Sequence, residues 1–218
     1  MIKIIKRIVG PRTTKKIITG ALAMCLVLGC TPVKASAASS HTLSNSSINR
    51  VYNNNKKAHP SISKYKIKRA AATARHRSSK GTSKSEYKRK VAILLATMEV
   101  ESDFKMIRHV NRNGSVDYGI MQVNSSVIPT IKRAMGSKIA NGLKYNVADN
   151  IEAGSYEMIT LCYNKAKKKH PSNVIWWTYA YYNRGLYFEN YSYSYNYNQA
   201  NRNSQKFIRI YNKYRKDL

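Results

Sequence analysis

Two carboxylates stand close together in the segment ESDFKMIRHVNRNGSVDYGIMQVNS, residues 101 to 125. Glu101 lies near the end of an apolar run. Asp117 follows sixteen residues later, after an Asn113-Gly114 pair and directly before Tyr118-Gly119-Ile120-Met121-Gln122. An acid leaving a helix and an acid leaving a turn can form two walls of one site. Cleavage of a glycosidic bond uses such walls. A protonated carboxyl gives its proton to the leaving oxygen, while negative charge or a fixed dipole steadies the cation-like sugar. Gln122 and Asn124 both donate and accept, as sugar hydroxyl and N-acetyl groups demand. Gly119 admits close approach of a sugar to backbone, or is simply a bend. Asn124 would equally serve as the cap of a helix beginning near Val127.

The elements that must position these groups are mainly helices. A helix is expected over residues 64–76. Ser83-Lys84-Ser85-Glu86 then forms a capping box, and the helix behind it carries Val91, Ile93, Leu94, Leu95, Met98 and Val100. Apolar on nearly every side, it belongs at the centre of a domain. Glu99 and Glu101 both sit in its last turns, about 200° apart around the axis, so they face different ways. Burial would raise the pKa of either, and periodicity does not choose between them. The ordinary fate of a lone helix glutamate is a surface ion pair.

The Asn113-Gly114 pair predicts a two-residue type I′ turn between short strands at 107–110 and 116–118. Asp149-Asn150-Ile151-Glu152 predicts a helix start, with Ile151, Gly154, Met158, Leu161 and Cys162 on one face and a basic run at 165–169. His170-Pro171 closes it. The next helix begins at Ser172 or Asn173, runs through Trp176, Trp177, Tyr179, Tyr181, Tyr182 and Asn183, and stops at Gly185. Its aromatic surface is core by default and a sugar-stacking wall otherwise. Residues 191–198, YSYSYNYN, alternate with period two, as a loop over the site or as low complexity. Phe207, Ile210, Tyr211 and Tyr214 give a final helix.

Composition frames these elements. The chain has 218 residues, 39 basic and 10 acidic. Residues 1–37 read as a secretory signal peptide: a basic lead, an apolar run of 12 residues from 17 to 28, and Ala35-Ser36-Ala37 as the cleavage site. Lipidation at Cys30, behind Leu26-Val27-Leu28-Gly29, is the alternative and would make a membrane-anchored lipoprotein. The removed segment carries 7 of the 39 basic residues and none of the acids, so 32 face 10, a net charge near +22. Such a field attracts polyanions, and export makes anionic wall polymers the expected partner, with no specific nucleic acid. Residues 38–82 are expected to be a basic, Ser/Asn-rich leader, flexible to about residue 62, and 83–218 the folded domain. Cleavage after Ala37 would leave Cys162 as the only cysteine, so no internal disulfide is expected. The histidines show no metal-ligand spacing.

Four motifs in order, Glu101-Ser102-x-Phe104, Gly119-Ile120-Met121-Gln122, Asn150-Ile151-x-x-Gly154 and Tyr182-Asn183-x-Gly185, resemble those of the SLT-type lytic transglycosylases. The small enzymes that accompany secretion and conjugation machines are the most similar branch. The likeness covers roughly residues 83 to 215, and NRNGSVDYGIMQVNS also resembles a stretch of C-type lysozymes. The resemblance implies a mainly α, lysozyme-like (α+β) domain with a small β-hairpin region beside the cleft. It implies cleavage of peptidoglycan glycan strands between N-acetylmuramic acid and N-acetylglucosamine, without a cofactor, and admits a secretion or conjugation apparatus as a partner. Carried over by residue, Glu101 is the catalytic acid and Asp117 the secondary carboxylate of the lysozyme pattern. Tyr182 is an orienting hydroxyl, and Ser102, Gly119, Met121, Gln122, Asn124 and Asn183 are substrate-binding. Val123-Asn124-Ser125 departs from the larger transglycosylases, so subsite contacts there do not carry over. Two alternatives stand beside a transglycosylase yielding 1,6-anhydro ends: a retaining lysozyme-type hydrolase using Glu101 and Asp117, and a non-catalytic binder of wall polymer or nucleic acid.

Overall fold

The computed structural model describes residues 40–187 and 194–218. The expected signal peptide at 1–37 with Cys30, and residues 191–193 of the tyrosine-rich stretch, lie outside the described residues. At the centre is α3, Lys84–Ser102, started by Ser83, whose Oγ accepts from the Glu86 N–H at 3.1 Å. Val91, Ala92, Ile93, Leu94, Leu95, Ala96 and Met98 are all fully buried. Burying one such Leu or Ile is worth about 1.5–3 kcal/mol, so this helix supplies much of the core. Helix α2, Lys64–His76, and helix α9, Ser194–Asp217, pack directly on it. Helix α8, Val174–Arg184, packs on α9, with the Tyr179 and Phe207 rings stacked at 4.4 Å.

The expected flexible leader is instead partly helical. Residues Asn45–Asn55 form α1, capped by Ser44, with Ile48 and Val51 buried against α2 and α9. Two apolar residues three apart suffice because polar groups do the rest. Asn54 and Asn55 donate to the Asp217 carboxylate at 2.8 and 3.1 Å, and Arg50 Nε donates to its carbonyl. The Ser/Asn composition that suggested disorder is what binds this helix to the far end of the chain.

Behind α3, Asp103 and Phe104 both take positive φ, 52° and 60°. The Phe104 N–H reaches the Met98 carbonyl at 3.0 Å, satisfying an end that glycine usually closes. His59 holds Asp103 at 2.7 Å, and Phe104 is buried. A three-stranded antiparallel sheet follows, ordered β1 (Arg108–Val110), β2 (Val116–Tyr118), β3 (Val123–Asn124). His109 faces Asp117, which faces Asn124. The expected type I′ turn is not formed, because Asn113 does not take positive φ. Asn111 and Ser115 close a three-residue loop in which Gly114 alone has positive φ, 83°.

After two short helices, α4 (Ile128–Met135) and α5 (Ser137–Gly142), comes α6, Val147–Ser155, whose cap lies three residues before the predicted one: Asn146, not Asp149, accepts from the Ala148 and Asp149 N–H groups. It continues through a segment of i+5 hydrogen bonding, Tyr156–Tyr163, into α7, Asn164–Lys169. The shift frees Asn150 to lie inside the helix, fully buried. Its Oδ1 accepts from the Met121 N–H, and its Nδ2 donates to the Tyr118 and Leu143 carbonyls, each at 2.8 Å. A Cβ on Gly119 would stand 2.2 Å from Asn150 Nδ2, and one on Gly154 would stand 2.5 Å from Met121 Cβ. Both glycines are therefore required by close approach. Asn150→Ala strands three buried backbone groups at about 1–3 kcal/mol each. It is expected to lose at least about 3 kcal/mol in urea unfolding. Asn150→Asp, which keeps one acceptor but sets charge against two carbonyls, should not rescue it.

Candidate active site

The two glutamates at the end of α3 have opposite surroundings. Glu99 is enclosed by partners for its charge: His59 at 3.2 Å, Lys213 at 3.8 Å and the Tyr214 hydroxyl, which donates at 2.6 Å. Among the described residues Glu101 has one hydrogen bond, from the Tyr179 hydroxyl to Oε1 at 2.8 Å. Burial pushes its carboxyl up to about 7; the Tyr179 bond opposes this, the Asp117 charge adds to it, and Lys206 opposes it weakly. Burial of an unpaired acid favours its neutral form. Glu101 is thereby able to hold a proton near neutral pH.

Asp117 is differently placed. On β2 it accepts from Asn124 Nδ2 at 2.6 Å and Asn111 Nδ2 at 2.8 Å. Both amides belong to its own sheet and loop. Asn124 also caps the 3₁₀ turn Ser125–Val127 by accepting from Ser126 N–H at 3.0 Å. These bonds are all internal to the sheet and the turn.

Several other predicted residues hold the backbone. Ser102 is buried and donates to the Met98 and Ile120 carbonyls at 3.1 and 2.8 Å, tying the end of α3 to the Gly119–Gln122 turn. Met121 is fully buried. Gln122 adopts φ 49° and donates to the Gly119 carbonyl at 2.7 Å. Tyr182 does not orient Glu101. Its hydroxyl donates to the Met121 carbonyl at 2.5 Å, and Tyr179, three residues earlier on the same helix face, is the orienting group. Asn183 accepts from Asn203 at 3.0 Å.

Two residues escaped the sequence reading. Tyr179 was hidden in an aromatic run, although its i, i+3 spacing from Tyr182 puts both on one face. Glu157, in the i+5 segment, has a buried Oε2 with no hydrogen-bond partner among the described residues. Burial, with the Glu101 and Asp117 charges behind it, pushes its carboxyl up to about 8. Misplacing the helix start by three residues concealed that it follows Asn150 and Gly154 on one stripe. Among the described residues no three His, Cys, Asp or Glu side chains gather as metal ligands.

The raised Glu101 carboxyl has a stability consequence. Unfolded, the acid ionises near 4.5; folded, near 7. Between these values the unfolded state releases its proton first, so stability falls as pH rises through this window and stays lower above it. The full difference is about 3 kcal/mol. Glu101→Gln, which cannot ionise, should therefore gain up to about 3 kcal/mol over wild type at pH 8 and almost nothing at pH 4. Chemical unfolding at the two pH values measures it.

No curated protein and no solved structure matches the chain. A family model does: the transglycosylase SLT domain, over residues 80–205. That span takes in α3 with Glu101, the sheet, the Asn150 clamp and the helix carrying Tyr179 and Tyr182. The mainly helical architecture with one small antiparallel sheet is the lysozyme-like arrangement of that domain. More than half of the sequence lies within the match, and every group that surrounds Glu101 except Lys206 does too; the chain belongs to the transglycosylase SLT family.

Proposed function

We propose that the protein cleaves the β-1,4 bond between N-acetylmuramic acid and N-acetylglucosamine and leaves 1,6-anhydro ends. The observation that carries this reading is the Glu101 carboxyl at the end of α3, with its charged form suppressed by burial and one described hydroxyl, that of Tyr179, to orient it. Protonated, Glu101 gives its proton to the glycosidic oxygen as the bond to the sugar carbon breaks. The resulting carboxylate, steadied by Tyr179, then takes the proton from the sugar's own 6-hydroxyl as that oxygen closes on the same carbon. The 6-hydroxyl is already held beside the carbon, so no water needs to be placed. Asp117, committed to Asn111 and Asn124, is a strut of the sheet in this mechanism and not a nucleophile.

The strong positive charge of the chain supports a place at the cell wall, outside the cytoplasm, where anionic polymers retain it. Glu101→Gln keeps the shape and removes the proton. It should slow the clearing of purified sacculi by about 10²–10⁴. Mass spectrometry of the released muropeptides should show ends lighter by one water than reducing ends. Reducing ends alone, with Asp117→Asn inactive, would identify a lysozyme-type hydrolase instead.

A further inference from the structure

The helix that docks on the Gly119–Gln122 turn brings another carboxyl to the site. Asn150, Gly154 and Glu157 stand at i, i+4 and i+7, on one face. The first two already touch Met121, one by a hydrogen bond to its N–H at 2.8 Å and the other by lacking a Cβ. Glu157 is thereby carried past Met121, about 10 Å along the axis from Asn150, toward the region where Tyr182 binds the Met121 carbonyl. There the helix changes to i+5 hydrogen bonding, a local widening that is frequent at functional sites.

Oε2 of Glu157 is buried without a partner among the described residues. No described cation offsets it. The charges it meets are Glu101 on α3 and Asp117 on β2, and it acts in turn on Tyr182 of α8 and on Cys162 of its own helix. Lys206 of α9 acts on Glu101, Arg184 of α8 on Tyr179, and Lys165 of α7 on Cys162. Glu152 of α6 is turned onto Arg77 at 2.8 Å. A dry, unpaired oxygen destabilises a fold unless something else bonds to it. A glycan strand presents hydroxyl and acetamido groups suited to do so.

We propose that Glu157 binds the glycan substrate directly, as an uncharged carboxyl hydrogen-bonded to a hydroxyl or acetamido group of the sugar next to Glu101. This rests on the reading of the chain as a glycan-cleaving enzyme. Both carboxyls must then be protonated at once, Glu101 to give its proton and Glu157 to hold the sugar without repelling its neighbour. Burial and the two neighbouring charges put Glu157 at about 8, above Glu101 at about 7, and the two protons leave in steps that belong to the pair. Activity should fall roughly tenfold per pH unit beyond the first step and roughly a hundredfold per unit beyond the second.

The test uses the full chain and peptide-free muroglycan strands, with kcat/KM measured from pH 6 to 10. Wild type should show the steep second limb. Glu157→Gln, neutral at every pH, should show no second limb and fall only about tenfold per unit throughout. Glu157→Leu should lose about 10- to 100-fold in kcat/KM, mainly through KM, without a lower Tm. A tenfold limb in wild type that Glu157→Gln leaves unchanged would overturn the proposal. Binding separates this failure from failure of the enzymatic reading. In Glu101→Gln, which is not turned over, adding Glu157→Leu should weaken binding of the same strands about tenfold or more by calorimetry. Equal affinity overturns the role of Glu157 alone, while strands bound but never cut by wild type overturn only the reaction.

Discussion

Glu101 keeps a proton near neutral pH because its carboxyl is buried at the end of a helix that the rest of the described chain encloses. Holding it there works against the fold by about 3 kcal/mol above pH 7, a large share of the roughly 5–15 kcal/mol by which a domain is stable. The offset lies in the same helix. Its fully buried aliphatic residues, each worth about 1.5–3 kcal/mol, outweigh one suppressed charge several times over. Glu99, two residues away on the same helix, is surrounded instead by His59, Lys213 and Tyr214.

Everything around Glu101 serves to hold that end of the helix against the sheet. Ser102 bonds the Ile120 carbonyl, Asn150 bonds the Met121 N–H and the Tyr118 carbonyl, and Tyr182 bonds the Met121 carbonyl. The motif residues are therefore largely backbone clamps. They fix where the turn lies, and Tyr179 alone among the described residues hydrogen-bonds the acid. Asp117 illustrates the same economy of roles: its charge reaches Glu101, yet its hydrogen bonds bind the hairpin together.

Much of this was legible in the chain. The all-round apolar pattern of residues 91–100 marked a central helix, Ser83 marked its start, and Gly185 marked the end of α8 at φ 90°. The choice between Glu99 and Glu101 was not, because their partners come from residues 59, 179, 213 and 214, far away in sequence. Spacing located Tyr182, but not the register that hands the acid to Tyr179. The Asn113-Gly114 pair signalled a turn and misled on its type, since the glycine took the positive φ alone. Asn150 was read as part of a helix start behind Asp149, because Asn and Asp favour such positions. Burial and three backbone partners, invisible in sequence, gave it another task. The Ser- and Asn-rich segment before residue 62 looked unfoldable by composition, yet its side chains find Asp217.

The central claim is that the Glu101 carboxyl is held neutral by burial, and its own titration tests this most directly. Carboxyl ¹³C chemical shifts of glutamate-labelled protein, followed across pH 3 to 10, report each midpoint. The resonance absent from Glu101→Gln identifies the acid. A midpoint at about 7 is the result this account predicts, and a midpoint near the ordinary glutamate value of about 4.3 would contradict it.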